Sequence, residues 1–223
     1  MSSRADGELS CAPDRRGGVC VLIPVKERGR CKTRLARTLV PAARLALVRS
    51  MLATVLRAAG AARTVSQVLV ISPERDEVPP QVPVLRDDGR SLNGALSQAR
   101  TLLCARGCTE VVILPADLPR VTAAEIDALV RAGRERGFAI APDAAGAGTN
   151  ALYLRTSLPL RFRFGSGSER QHLREARRLG LAPAIVRLPG LALDVDTAAD
   201  LARLAAVRLE RPLQTHLCAG PPA

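Results

Sequence analysis

An α/β sandwich, built on a mostly parallel sheet with helices on both faces, is predicted by three observations in this 223-residue sequence. Short, continuous apolar runs such as VCVLIPV (19–25) and EVVILPAD (110–117) read as strands buried on both sides. They alternate with longer segments whose apolar residues recur at helical spacing, and the connections are short. Apolar residues make up 47% of the chain, enough for a real core in a single domain of this length.

The elements follow in order. VCVLIPV is the first strand, and KERGRCKTRLA after it is a charged loop. Pro41 suits a first helical position, opening AARLALVRSMLATVLRAAG, which Gly60 is expected to stop. QVLVIS (67–72) and PVLRD (83–87) are strands, and LNGALSQARTLLCARG (92–107) is a helix ending at a glycine. EVVILPAD is the clearest strand. Thr122, with Glu125 three residues on, is a capping box for a helix reaching Gly137. FAIAPD (138–143) and NALYLR (150–155) flank a glycine-containing turn, and the loop FRFGSGS (162–168) leads into the helix ERQHLREARRLG. PAIVRL and LALDVD are further strands, and Thr197 with Asp200 opens a last helix through Leu209. Residues 1–18 read as a polar leader, 19–209 as the domain and 210–223 as a frayed tail.

Composition narrows the function. Thirty-three Lys and Arg against 21 Asp and Glu give +12. A basic surface attracts anions. No basic run of the length of a nucleic-acid arm occurs, and aromatics are 2% of residues, so a base-stacking nucleic-acid binder is not indicated. Phosphorylated small molecules are the natural partners. The six cysteines form no CxxC pair, so neither a zinc site nor a disulfide framework is expected. The leader lacks the apolar stretch of a secretory signal, and no apolar run approaches the roughly 18 residues of a membrane span. A cytoplasmic protein without membrane association is expected.

In sheets of this kind ligands sit beyond the carboxyl ends of strands, so polar residues just after strands matter most. Five cations crowd the loop 26–34, among them Lys26 and Lys32, the only two lysines of the chain. That loop suits a polyphosphate, although Lys26 and Cys31 stand where a Walker loop needs glycine. Asp117 ends the strand EVVILPAD, and alternation points Asp194 and Asp196 to one side of LALDVD. Neighbouring carboxylates repel unless a cation lies between them, and carboxylates at strand ends suit Mg²⁺ shared with substrate phosphates. Taken alone, Asp196 reads better as part of the turn before Thr197. The small-residue loops GAGTNAL (146–152) and FGSGS (164–168), with Thr149, Ser166 and Ser168, can close around an anion. Ser168 also sits at a helix N-terminus, which favours phosphate or carboxylate. His172, with no nucleophile signature nearby, reads as structural or orienting.

Taken in order, IPVKERGRCKTRLA, SLNGAL, LPADLP, GAGTNAL, FGSGSERQH and LALDVDTAADL resemble the CofC/FbiD family of guanylyltransferases of coenzyme F420 biosynthesis, over residues 19–206. The resemblance implies a Rossmann-like nucleotidyltransferase fold and transfer of GMP from GTP to a three-carbon phospho-acid with release of pyrophosphate. The acid is 2-phospho-L-lactate, phosphoenolpyruvate or 3-phospho-D-glycerate by lineage, and 3-phospho-D-glycerate is the expectation here. It implies Asp117, Asp194 and Asp196 as Mg²⁺ ligands, and Lys26, Lys32 and Arg34 as a triphosphate clamp. Lys26 and Asp117 are then the catalytic pair. Asn93 falls to the nucleotide pocket, and Thr149, Gly165 and Ser168 to the phospho-acid site. Glu27 and Ala144-Ala145 depart from the family pattern. The alternatives are a molybdenum-cofactor-type or other small-molecule nucleotidyltransferase, which would carry a Gly-rich loop after the first strand, or a non-catalytic anion- or RNA-binding module. The basic surface is a candidate docking face for the next enzyme of the pathway, and oligomeric state is not legible.

Overall fold

The computed structural model describes residues 18–25, 32–87 and 91–209, without the side chains of Thr33 and residues 207–209. Residues 1–17 of the leader, the tail and Lys26 lie outside the described residues. Seven strands form one sheet in the order β3-β2-β1-β4-β6-β5-β7. They are β1 (Val19–Pro24), β2 (Val65–Ser72), β3 (Val84–Arg86), β4 (Glu110–Ile113), β5 (Phe138–Pro142), β6 (Thr149–Arg155) and β7 (Ala184–Ile185). The helices are α1 (Pro41–Ala61), α2 (Leu92–Ala105), α3 (Ala123–Arg136), α4 (Ser168–Arg178), α5 (Pro189–Ala192) and α6 (Ala198–Leu209), with a 3-10 turn at Thr33–Leu35. Among the described residues no helix is long and apolar enough to cross a membrane.

The unbroken apolar run of β1 is explained by its two neighbours and two covered faces. It pairs in parallel with β2 on one side and β4 on the other. Val19, Val21 and Ile23 face one core with Leu52 and Val55 of α1 and Ile126, Leu129 and Val130 of α3. Cys20 and Leu22 face the other, with Leu96 and Leu103 of α2 and Ala176 of α4. A third, smaller cluster joins Leu35, Val48, Met51, Val195 and Leu204 at the carboxyl end of the sheet, beneath the loops that carry the site.

The expected capping box at Thr122 is present, and α3 ends on Gly137 in the left-handed conformation at φ 77°. Three expectations are corrected. LALDVD is not a strand: α5 takes its start, and 193–197 follows as unpaired chain. Its backbone is tied to the chain beyond β4 through Val195 N, which donates to Asp117 O at 3.3 Å. β4 is already paired on both edges, by β1 and β6, so no ladder is left to join. PAIVRL shortens to two residues. The helix α1 runs past Gly60 to Ala61, because nothing in its surroundings forces a left-handed residue at Gly60. The sheet is mostly parallel as expected, but β6 runs antiparallel to both β4 and β5. The glycine-containing turn after β5 makes a hairpin, which sets the start of β6 beside the end of β4.

Candidate active site

Three chain segments meet at the carboxyl ends of β1 and β4. β1 delivers Val25, anchored by its N–H to Ile71 O at 2.8 Å, and the chain returns at Lys32. Lys32 has φ 52°, in the left-handed region that costs a non-glycine residue roughly 1 kcal/mol. What holds it there is visible on both sides. Leu35, fully buried, pins the following 3-10 turn into the third core cluster. The Lys32 ammonium donates to Asp117 Oδ2 at 2.6 Å and to Asp196 Oδ1 at 2.5 Å. Its side chain is 9% exposed, those of Asp117 and Asp196 28% and 47%.

Burial alone would lower the Lys32 pKa. The charges and hydrogen bonds of Asp117 and Asp196 outweigh burial and hold it above its ordinary value. Asp194 stands behind the pair, with Asn150 Nδ2 donating to its Oδ1 at 3.3 Å. Burial first, then the nearby Asp117 charge, pushes the Asp194 carboxyl up from its usual range. The three aspartates predicted from the sequence are therefore brought to one place, although the segment carrying two of them is not a strand.

Among the described residues no cluster of three or more His, Cys, Asp or Glu is gathered as a metal cage. The donor chemistry nonetheless fits Mg²⁺, which is ordinarily held by one or two carboxylates, substrate phosphates and waters rather than by an all-protein cage. Asp117 and Asp196 present two hard oxygens close enough to share one cation, as their joint grip on Lys32 demonstrates. Lys32, expected at a triphosphate, grips these two carboxylates at the floor of the cleft. Arg34 is exposed on the 3-10 turn, apart from the Lys32 ion pairs. A cleft of about 210 Å³ opens over the cluster, walled by Pro24, Val25, Met51, Leu92 and Phe164. A larger depression of about 440 Å³ lies at the opposite end of β4, around Cys108 and Thr156, away from every predicted site residue.

Asn93 sits on the first turn of α2, whose cap the sequence reading did not assign. Ser91 Oγ accepts from Gly94 N at 3.0 Å. Both ends of the Asn93 amide are spent on one loop residue: Phe164 N donates to Oδ1 at 2.8 Å, and Nδ2 donates to Phe164 O at 3.1 Å. Asn93 thus fixes the cleft wall. The partner lies 71 residues away, so no local signal could have shown it.

Thr149 and Ser168, 7% and 2% exposed, start β6 and α4 on adjoining loops. Glu169 N donates to Ala147 O at 3.4 Å and ties the two loops together. The loop before α4 needs its glycines, with Gly165 at φ 130° and Gly167 at φ 66°. His172 is fully buried. It contacts Thr149 Oγ1 through Nδ1 at 3.0 Å and the backbone N–H of Arg163 through Nε2 at 2.9 Å.

Comparison with known proteins places the chain in a family. The family model described as "Guanylyl transferase CofC like" matches residues 19–207. The phosphoenolpyruvate guanylyltransferase of Sphaerobacter thermophilus is 42% identical, over 82% of this chain and 91% of its own length. The 2-phospho-L-lactate guanylyltransferase of Methanothermobacter thermautotrophicus is 40% identical over 83% of each chain. Among solved structures, a nucleotidyl transferase from Methanothermobacter superposes with a TM-score of 0.60 at 16% identity, covering 87% of this chain and 99% of that one. A 4-diphosphocytidyl-2C-methyl-D-erythritol synthase does so with a TM-score of 0.58 at 15% identity, covering 87% and 99%. These two share the fold. Carboxylates converging at the end of a Rossmann-like sheet, and a family match over nearly all the described chain, together show that this protein belongs to the CofC-like guanylyl transferase family of nucleotidyltransferases.

Proposed function

We propose that the protein transfers GMP from GTP to phosphoenolpyruvate in the cytoplasm, with Mg²⁺ as cofactor, and that this is a step of coenzyme F420 biosynthesis. The observation that carries the reaction type is the Lys32–Asp117–Asp196 cluster at the floor of the cleft. Two carboxylates that already share one cation can hold a divalent ion against a triphosphate, and the sequence 26–34, which includes Lys32, carries five cations. Bound there, Mg²⁺ would neutralise charge on the triphosphate.

The chain's own groups do the positioning. A phosphate oxygen of the acceptor is already ionised near neutral pH and attacks the α-phosphorus without a general base. The only described histidine, His172, is buried and engaged through both nitrogens, which fits that economy. Thr149, Gly165 and Ser168 form the acceptor end, and Lys26, in the loop that leaves β1, assists the triphosphate. The new bond joins the acceptor phosphate oxygen to the α-phosphorus of GTP. The bond broken is the α–β phosphoanhydride, and pyrophosphate leaves.

For the acceptor, the relatives favour phosphoenolpyruvate over the 3-phospho-D-glycerate expected from sequence. The bacterial proteins of Sphaerobacter thermophilus and Rubrobacter xylanophilus, 42% and 39% identical, are both named for phosphoenolpyruvate. Incubating protein, GTP and Mg²⁺ separately with phosphoenolpyruvate, 2-phospho-L-lactate and 3-phospho-D-glycerate, and measuring pyrophosphate, tests the reading. Release is expected to be fastest with phosphoenolpyruvate. A faster rate with either other acid reassigns the acceptor, and none with any acid overturns guanylyl transfer to this class.

A further inference from the structure

The surroundings of His172 dictate which of its nitrogens carries the proton. The backbone N–H of Arg163 faces Nε2 at 2.9 Å. A backbone amide can only donate, so Nε2 bears the lone pair and the proton of the neutral ring lies on Nδ1. Nδ1–H then donates to Thr149 Oγ1 at 3.0 Å. With one lone pair of the Thr149 oxygen taken, its own O–H is turned away from the ring and remains a donor. Among the described residues no other group accepts from it. Burial, reinforced by the Arg163 charge, lowers the His172 pKa to about 4, so the ring stays neutral through the physiological range.

The same imidazole braces the neighbouring loop. Phe164 meets the ring edge to face, centroids 4.9 Å apart at 68°. Phe164 is itself held by Asn93 and walls the cleft beside Asp117 and Asp196. His172 therefore touches, within one residue's reach, the start of β6, the loop carrying Gly165 and the wall of the cleft.

We propose that His172 is a positioning residue for the acceptor: as the Nδ1–H tautomer it turns the Thr149 hydroxyl into a fixed donor toward an anionic oxygen of the phospho-acid, and it holds the Phe164–Gly165 loop in place around that acid. This rests on the acceptor site proposed above. Its consequence is a separation of roles, with the acid governed from α4 and the nucleotide from the carboxylate cluster.

Two substitutions dissect the ring. His172→Gln places an amide oxygen near the Nε2 position, keeping an acceptor for Arg163 N–H and losing the donor to Thr149. His172→Asn reaches only the Nδ1 position and keeps that donor. His172→Gln is expected to raise KM for the phospho-acid about tenfold, the worth of one well-placed hydrogen bond, while KM for GTP changes less than about twofold. His172→Asn recovers most of that loss. In a Thr149→Val background most of the His172→Gln loss disappears, because the hydroxyl it would misdirect is gone, and only the smaller effect of losing the ring against Phe164 remains. Equal rises in both KM values, or additive losses in the double variant, overturn the proposal and leave His172 a packing residue.

Nitrogen NMR reads the tautomer without turnover, and with two histidines in the chain its assignment is simple. The His172 signals should show Nδ1 protonated and Nε2 bare, unchanged between about pH 8 and pH 5.5. Protonation at Nε2, or titration near pH 6.5, contradicts it. A wild type that turns over none of the three acids overturns the acceptor site and this proposal's acceptor half with it, whereas the nitrogen shifts judge the tautomer independently.

Discussion

Two polar clusters lie within the same end of the fold, and they are built on opposite principles. Lys32, Asp117 and Asp196 are charged, and the carboxylates keep 28% and 47% of their surface in solvent. Thr149, His172 and the Arg163 N–H are neutral partners, with His172 wholly buried and Thr149 nearly so. A charged, half-solvated cluster can exchange one cation for another and respond to a ligand's charge, because neither arrangement leaves a buried ion unpaired. A dry neutral network cannot exchange partners without leaving a donor unsatisfied, so it is suited to holding a geometry fixed. One fold end therefore combines a responsive part for the triphosphate with a rigid part for the acceptor.

Breaking the charged cluster should have the largest effect on turnover. Asp117→Asn keeps the shape and removes the charge, and a loss of roughly 10³-fold in the pyrophosphate-release rate is expected, the scale of removing a principal electrostatic contributor. Circular dichroism and the melting midpoint should stay close to wild type, since Asp117 is part-exposed and its carbonyl bond to Val195 N is untouched.

The neutral cluster shows itself through pH and stability instead. The His172 pKa falls from its ordinary 6.5 to about 4 on folding, because the ring is buried, so below pH 6.5 the unfolded chain binds a proton that the native state refuses. Stability is therefore complete above pH 6.5 and is lost as pH falls towards 4, by roughly 3 kcal/mol for this group alone. Urea unfolding of wild type and His172→Gln across that range should diverge with this sign, the variant lacking the acid-side loss.

The smallest effect is expected from removing the cation of the charged cluster. Lys32→Met leaves Asp117 and Asp196 facing each other without a counter-charge, but solvent reaches both. The expected cost is about 1 kcal/mol in the presence of a chelator, measured by denaturant titration, and added Mg²⁺ should reduce it. A cost several times larger would mean that the cluster is as dry and rigid as the histidine network, and the contrast between the two would fail.

How far the sequence foretells these clusters depends on how local their causes are. Strand β1 is legible because burial on both faces leaves an unbroken apolar run, and the cap at Thr122 because both its partners lie within four residues. Asp194 and Asp196 are legible as a pair even though the expected strand is absent, since alternation holds for any extended chain. The antiparallel β5–β6 pair is foreshadowed by a turn too short for a parallel crossover, but the place of β6 beside β4 is not legible: hydropathy records that a strand is covered, not which neighbour it takes. The grip of Asn93 on Phe164 is not legible, because a side-chain amide is satisfied by whatever backbone the fold brings to it. Lys32 follows the same logic. Its charge is evident in the sequence, but its partners at 117 and 196 are assembled only by the crossing of three loops. His172 reads from the sequence as structural or orienting, but its partners on β6 and on the loop before α4 need the fold to appear.

The central claim, that this cleft directs an acceptor phosphate to the α-phosphorus of GTP, is tested most directly by phosphorus NMR of a reaction containing protein, Mg²⁺, GTP and phosphoenolpyruvate. Attack at the α-position predicts free pyrophosphate together with a new pair of coupled resonances from a mixed diphosphate joining guanosine to the acid. Appearance of GDP or orthophosphate without that coupled pair would contradict it.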